Sequence, residues 1–194
     1  AYHAANFCIP ATIVMPEQAP FSKVARTSEL GAEVILKGRT LNETTKFVEN
    51  TAIERDLILI HPYNDVDVIN GQGSIGIEII NKIPDLEYLV IPIGGGGLIS
   101  GVALAAKALN PNLRVIGVEA KLFPSMYNIF NTTNLSAGGD TIADGIAVKQ
   151  PGELNIPIIL ENVDDILLVD EISIENSIGS LFEDERVISE GAGA

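Results

Sequence analysis

Four consecutive glycines, Gly94 to Gly97, lie between an apolar segment that ends at Ile93 and a second apolar segment that starts at Leu98. Each glycine costs roughly 0.5 to 1 kcal/mol relative to alanine when its backbone is fixed, so the run needs a physical reason. Without Cβ atoms, successive N–H groups can converge on one anion, and the positive end of the following helix dipole favours a phosphate there. The simpler alternative is an ordinary glycine turn that joins a strand to a helix.

The spacing around these glycines disfavours a nucleoside triphosphate. Gly96 and Gly101 have the separation of the outer glycines of a Walker A loop. That loop then requires lysine followed by serine or threonine, and Val102 and Ala103 stand in those positions.

A dinucleotide fingerprint fits better and stays open as an alternative. Gly95, Gly97 and Ser100 approximate a G-x-G-x-x-G pattern, and Glu119 follows Gly97 by 22 residues, where a ribose-binding acid would lie. The third glycine of the fingerprint is missing, and the pattern does not explain the two further glycines in the run.

The elements that must position this loop alternate between β and α character. Consecutive β-branched and apolar residues predict strands buried on both faces of a parallel sheet, at Ala11–Met15, Glu33–Leu36, Leu57–His61, Tyr88–Ile93, Val115–Glu119 and Ile166–Val169. Between them, periodicity, glycines and prolines predict helices at Phe21–Leu30, Leu41–Arg55, Val66–Ile83, Leu98–Leu109 and Ile174–Val187. This alternation is typical of an α/β fold with three-layer, open parallel-sheet units.

Composition narrows the possible function classes. The 194 residues carry a formal net charge of -14, which repels phosphate backbones and anionic lipid surfaces, so we expect neither a nucleic-acid nor a membrane partner. The single Cys8 cannot form an internal disulfide, and a reducing cytoplasm fits best. Residues 1–62 are nearly neutral and residues 63–194 carry almost all of the negative charge, which suggests two units, although an acidic solvent-exposed face explains it equally well. The acidic pairs and triplet at 164–165, 170–171 and 183–185 are interpreted as part of that face.

Several motifs in a fixed order resemble one enzyme family. The Gly94–Leu98 loop follows Gly71-Gln72-Gly73-Ser74 and precedes Thr141-Ile-Ala-Asp-Gly-Ile-Ala147 and Glu190-Gly-Ala-Gly-Ala194. Together they resemble threonine dehydratase (threonine ammonia-lyase), a member of the tryptophan-synthase-β-like, fold type II group of pyridoxal-phosphate enzymes that includes serine racemase. The segments 9–16, 23–24 and 31–34 resemble the same family's smaller domain. The resemblance covers essentially the whole chain and implies an incomplete fold type II architecture, with 1–62 as part of a smaller domain and 63–194 as part of a larger one.

The resemblance implies the cofactor site position by position. Gly94, Gly95, Gly96 and Gly97 would hold the phosphate of pyridoxal 5′-phosphate through backbone N–H groups, with Leu98 closing the loop. Gly145 and Glu190 would lie beside the cofactor ring, although a simple turn and an exposed carboxylate explain those two positions as well.

Other positions carry weaker implications from the same resemblance. The segment 61–63 would line the cleft near the substrate, or be an interdomain turn. A divalent ion held near Glu119 in relatives would need a second carboxylate where Ser125 stands, so no metal site is assigned.

The family's catalytic lysine sets the expectation for this chain's activity. That lysine lies in a Ser-x-Lys segment that would precede the residues present here, and the seven lysines of this chain occupy other contexts. No catalytic residue is therefore assigned, and we expect the chain to be the central fragment of a dehydratase that converts L-threonine or L-serine to a 2-oxo acid and ammonia, inactive by itself. A noncatalytic module that binds a phosphate ligand or another subunit is the alternative from a different class, and family members usually form homo-oligomers.

Overall fold

The computed structural model describes residues 1–38 and 41–194, with the side chains of residues 41 and 42 excepted. Within it the chain forms two compact units, Ala1–Leu59 and Ile60–Ala194. The division falls close to the boundary after Pro62 that the charge distribution suggests. The assignment of these units to a smaller and a larger enzyme domain stays a prediction.

The first unit is built around a pair of short parallel strands. Its elements are α1 (Tyr2–Asn6), β1 (Thr12–Met15), α2 (Phe21–Glu29), β2 (Glu33–Leu36) and α3 (Leu41–Glu54). The two strands pair in register from Thr12 with Glu33 to Met15 with Leu36. Glu33 tethers the sheet to the end of α3, because its carboxylate accepts hydrogen bonds from Thr12 at 2.9 Å and from Arg55 at 2.9 and 3.0 Å.

The strand predicted at Leu57–His61 is wrong. Asp56 takes a positive φ of 53°, and the N–H of Leu57 bonds back to the carbonyl of Ala52, which closes the end of α3. Among the described residues no strand pairs with the segment that follows, and Ile58 remains 92% exposed. An apolar β-branched sequence forms a strand only where a neighbouring backbone completes its hydrogen bonds.

The second unit contains a three-stranded parallel sheet between helices. Its elements are α4 (Val66–Lys82), β3 (Tyr88–Pro92), α5 (Gly97–Leu109), β4 (Arg114–Ala120), α6 (Ser125–Phe130), α7 (Asn155–Asn162), β5 (Asp165–Val169) and α8 (Glu171–Glu183). The strand order is β3-β4-β5, so β4 is central. Ile91, Val115 and Ile166 from the three strands are buried in one core cluster with Ile99 of α5 and Ile159 of α7. The predicted α/β class is confirmed, and the sheet holds the residue before the glycine loop in a rigid core.

Glycines bring α4 and α5 into close contact. A Cβ atom on Gly76 would lie 2.7 Å from the carbonyl oxygen of Val102, and one on Gly73 would lie 3.2 Å from that of Gly101. A Cβ on Gly101 would overlap the carbonyl oxygen of Ile69. Helix-interior glycines cost about 1 kcal/mol each relative to alanine, and here the backbone-to-backbone packing requires them.

The helices that sequence patterns missed or displaced have local explanations. The short helix α6 follows Pro124, and α7 carries Pro157 in its first turn, where a missing N–H costs nothing. The helix predicted at Ile174–Val187 lies instead at Glu171–Glu183, since the side chain of Asp170 caps its first turn by accepting from the N–H of Ser173 at 2.9 Å. The acidic residues after Glu183 disfavour further helix because they meet the negative end of the dipole.

The acidic residues assigned to a solvent-exposed face also have structural roles. The carboxylate of Asp164 accepts a hydrogen bond from the N–H of Val115 and an ion pair from Lys107, each at 2.8 Å. Glu171 accepts from the N–H of Ile142 at 2.9 Å. Across the described ranges, no helix has both the length and the apolar character that a bilayer crossing requires.

Candidate functional site

The glycine loop turns the chain from the carboxyl end of β3 into α5. Gly96 is the N-terminal cap of the helix, with φ 92° and ψ -7°, a left-handed conformation that favours glycine. Its carbonyl accepts the first helical hydrogen bond, from the N–H of Ser100 at 3.0 Å. None of the described side chains caps the helix, so the start of α5 differs from those of α4 and α8, which Asp65 and Asp170 cap.

The backbone N–H groups at this turn lack acceptors. Within the part of the chain that the structure describes, no hydrogen bond is made by the amides of Gly94–Leu98. Gly95, Gly96 and Gly97 are nevertheless buried. Buried backbone donors are almost always paired, and a run of unpaired donors at a helix N-terminus is the arrangement that binds an anion.

Close packing explains why side chains are absent at three of these positions. The ring of Tyr63 packs directly against Gly95, and a Cβ on Gly97 would lie 3.0 Å from the carbonyl oxygen of Tyr63. A Cβ on Gly96 would lie 2.9 Å from the Cβ of Asn155. The missing side chains alone would therefore fit an ordinary tight turn, and it is the free amides that indicate an anion.

Gly145 and Glu190 lie beside the loop. A Cβ on Gly94 would lie 3.0 Å from the Cα of Ile146 and 3.5 Å from the carbonyl oxygen of Gly145. A Cβ on Gly145 would in turn lie 3.3 Å from a carboxylate oxygen of Glu190. The fold thus brings Gly94, Gly145 and Glu190 into one neighbourhood, although they are spread over almost half of the chain. Leu98 is partly buried and packs against the core cluster below the loop.

The segment 61–63 also reaches the loop. The Nδ1 atom of His61 accepts hydrogen bonds from the N–H groups of Tyr63 at 3.3 Å and Asn64 at 2.9 Å. The rings of His61 and Tyr63 meet edge to face, with their centroids 4.6 Å apart. Burial raises the pKa of the Tyr63 hydroxyl above its ordinary value. The motif resemblance implies that this segment lies near the substrate. In the structure the ring of Tyr63 packs against Gly95.

Glu119 at the end of β4 serves the fold internally. It is fully buried and accepts hydrogen bonds from the Ser125 hydroxyl at 3.1 Å and from the N–H groups of Met126 at 2.9 Å and Tyr127 at 2.8 Å. Burial raises the pKa of this carboxyl, and the three donors oppose that rise. Both oxygens are therefore committed to the first turn of α6, and the dinucleotide interpretation loses its ribose-binding acid.

Asn155 is a site residue that the sequence analysis missed. It is fully buried at the start of α7, and its amide nitrogen donates to the carbonyl oxygens of Gly95 and Tyr63, both at 2.9 Å. The available signal was the Pro151-Gly152 turn before the helix. Nothing in that signal relates the asparagine to a glycine 60 residues away.

These features define a class. The chain matches the model of the pyridoxal-phosphate-dependent enzyme family over residues 1–194 and belongs to that family. Pyridoxal phosphate is therefore the cofactor of the class, as the motif resemblance implies.

Several proteins that are similar to this chain are named as threonine or serine enzymes. The chain is 45% identical over 196 residues to the L-threonine ammonia-lyase of Thermotoga maritima, covering all of this chain and 49% of that protein. It is 44% identical to a catabolic L-threonine dehydratase of Staphylococcus aureus, covering 96% of this chain and 54% of that protein. Among solved structures, maize serine racemase superposes with a TM-score of 0.94 at 34% identity, over all of this chain and 59% of that one. The processed form of threonine deaminase isoform 2 from Solanum lycopersicum superposes with a TM-score of 0.87 at 36% identity, over 96% of this chain and 52% of that one. The chain spans about half the length of the curated relatives it matches.

Proposed function

We propose that this chain is the central part of a pyridoxal-phosphate-dependent threonine or serine dehydratase, which converts L-threonine to 2-oxobutanoate and ammonia. The observation that carries the proposal is the set of unpaired amides of Gly94–Leu98 at the start of α5. Likeness to threonine ammonia-lyases and threonine deaminases supports the substrate class.

The residues present fit the phosphate group of the cofactor. The amides of Gly94–Leu98 would donate hydrogen bonds to its oxygens, and the 13-residue helix α5 adds the positive end of its dipole. Because this cradle consists of backbone, its charge does not depend on pH. By the motif resemblance the cofactor ring would lie near Gly145 and Glu190, which are neighbours in the structure because a Cβ on Gly145 would lie 3.3 Å from a carboxylate oxygen of Glu190.

When bound, pyridoxal phosphate supplies a conjugated ring that accepts the electron pair left when the substrate loses its Cα proton. The residues of this chain would bind the phosphate of the cofactor and help to orient its ring. The ring of Tyr63 packs against Gly95 and so helps to hold the loop in place. The chain's own side chains supply no assigned acid, base or nucleophile, so we propose that the 194 residues alone do not turn over threonine.

We further propose that the parent protein is cytoplasmic, assembles as a homo-oligomer and serves amino-acid metabolism such as isoleucine biosynthesis. The exposed single cysteine, Cys8, fits a reducing compartment. The net charge of -14 disfavours nucleic-acid and membrane partners.

The phosphate site is tested by calorimetry with pyridoxine 5′-phosphate and with pyridoxine. These compounds have no aldehyde and so cannot react with surface lysines, and they differ only in the phosphate. We expect the chain to bind the phosphorylated compound more tightly by at least about tenfold, because charge-assisted hydrogen bonds contribute about 1.5 to 3 kcal/mol each. Equal affinities would refute the phosphate site.

The reaction is tested by the release of ammonia from L-threonine. A longer form of the protein that includes the upstream lysine segment should release ammonia and 2-oxobutanoate when supplied with pyridoxal phosphate. The 194-residue chain should release neither. An inactive longer form would contradict the enzyme assignment and favour a noncatalytic phosphate-binding module.

A further inference from the structure

We infer that Asn155 is a positioning residue for the glycine loop, which it holds so that the N–H of Gly96 points toward a bound phosphate. This inference rests on the proposed function of the loop. It concerns a residue that binds no cofactor itself, since its amide nitrogen is already committed to two backbone carbonyls.

The hydrogen bonds of Asn155 fix one peptide unit of the loop. Its Nδ2 donates to the carbonyl oxygen of Gly95 at 2.9 Å, and the N–H of Gly152 donates to the same oxygen at 2.9 Å. The oxygen of Gly95 and the N–H of Gly96 belong to the same planar trans peptide, so they point in opposite directions. Holding the oxygen toward residues 152–155 therefore directs the N–H of Gly96 away from them.

The orientation of the Asn155 side chain follows from its partners. Both partners are carbonyl oxygens, which cannot donate, so the atom that faces them must be the NH2 group. The Oδ1 atom on the other side is buried, and no donor among the described residues bonds to it. An unpaired buried acceptor destabilises a fold. Both hydrogen bonds that this side chain makes to the site therefore come from its NH2 group.

Packing makes Asn155 and the loop mutually dependent. A Cβ on Gly96 would lie 2.9 Å from the Cβ of Asn155, so the left-handed turn fits only because residue 96 is glycine. The second hydrogen bond of Asn155, to the carbonyl of Tyr63, holds the backbone that packs against Gly97. One fully buried amide thus joins the segment before α4, the loop before α5 and the start of α7.

The test is Asn155→Leu, which keeps the branching at Cγ and replaces the NH2 group by a methyl group, so that both hydrogen bonds are lost. The readout is the ratio of the dissociation constants of pyridoxine and pyridoxine 5′-phosphate, measured by calorimetry on the 194-residue chain. We expect the ratio to fall about tenfold, because the Gly96 amide loses its fixed direction, while pyridoxine affinity stays constant. A merely structural role would change both affinities together or neither.

The matched control is Asn162→Leu at the other end of α7. The amide of Asn162 donates to the carbonyl of Ile158 at 2.9 Å, so this variant also loses a side-chain hydrogen bond on the same helix, at a partly buried position. We expect it to keep the wild-type ratio. A folded Asn155→Leu variant that keeps the wild-type ratio would overturn the inference.

A second measurement on the wild-type chain decides the matter if Asn155→Leu does not fold. Inorganic phosphate is titrated into isotope-labelled protein, and the amide resonances are followed by NMR. We expect the Gly96 N–H resonance to be among those that shift most. If other loop amides shift and Gly96 does not, the inference is wrong; if the wild type does not distinguish the two pyridoxine compounds, it is the proposed phosphate site that fails.

Discussion

Replacing Gly76 by alanine tests the close crossing of α4 and α5. The new Cβ would lie 2.7 Å from the carbonyl oxygen of Val102 and 3.2 Å from the nitrogen of Ala106, so the helices must separate. Overpacking of this kind costs about 1 to 3 kcal/mol, and alanine regains about 1 kcal/mol of helix propensity. We therefore expect the free energy of unfolding to fall by up to about 2 kcal/mol.

Gly71→Ala is the matched control for this change. Gly71 lies in the same helix, and apart from the adjacent backbone of that helix no atom of the described residues would lie within 4 Å of its Cβ, so this variant should be more stable than wild type by about 0.5 to 1 kcal/mol. The difference between the two variants isolates the steric cost, because the gain in helix propensity is common to both. Urea unfolding followed by far-UV circular dichroism measures both. If Gly76→Ala proves as stabilising as Gly71→Ala, the helices do not cross as closely as described.

Two further variants test the buried and the paired carboxylates. Ser125→Ala removes a hydrogen-bond donor to Glu119, whose pKa is already raised by burial, so the pKa of Glu119 in the folded state should rise further. We therefore expect the free energy of unfolding in urea to fall by about 1 to 2 kcal/mol at pH 8 and by less at pH 4. An equal loss at both pH values would argue against this link. Burial also opposes ionisation of Asp164, but the bonds from Lys107 and the Val115 N–H outweigh it and lower its pKa. Asp164→Asn should therefore destabilise by about 1 kcal/mol at neutral pH, and its deficit should shrink as acid protonates the wild-type carboxylate; a deficit independent of pH would contradict this account.

Local sequence patterns predicted the elements whose cause is local. Glu33–Leu36 is a strand as predicted, and the bounds of most other elements shift by one or two residues. The strand prediction at Leu57–His61 failed, because a strand there would need a neighbouring backbone that a sequence pattern does not reveal. The glycine loop was visible in the sequence because the four glycines adjoin one another, and the motif resemblance named the cofactor.

The supports of the site were harder to predict. Asn155 and Gly95 are joined only by folding, across 60 residues of chain. The role of Tyr63 depends on a ring-to-backbone contact that residue type alone does not indicate. Glu119 had the spacing of a ribose-binding acid, and the structure shows instead that the amides of α6 use its oxygens.

The packing between α4 and α5 has a consequence for how tightly the site can bind. Backbone against backbone has no rotamers to exchange, so the two helices should behave as one stiff body. The amide donors at the N-terminus of α5 would then be preorganised before any ligand binds. Association would spend little entropy on ordering the receptor, which favours tight binding of the coenzyme.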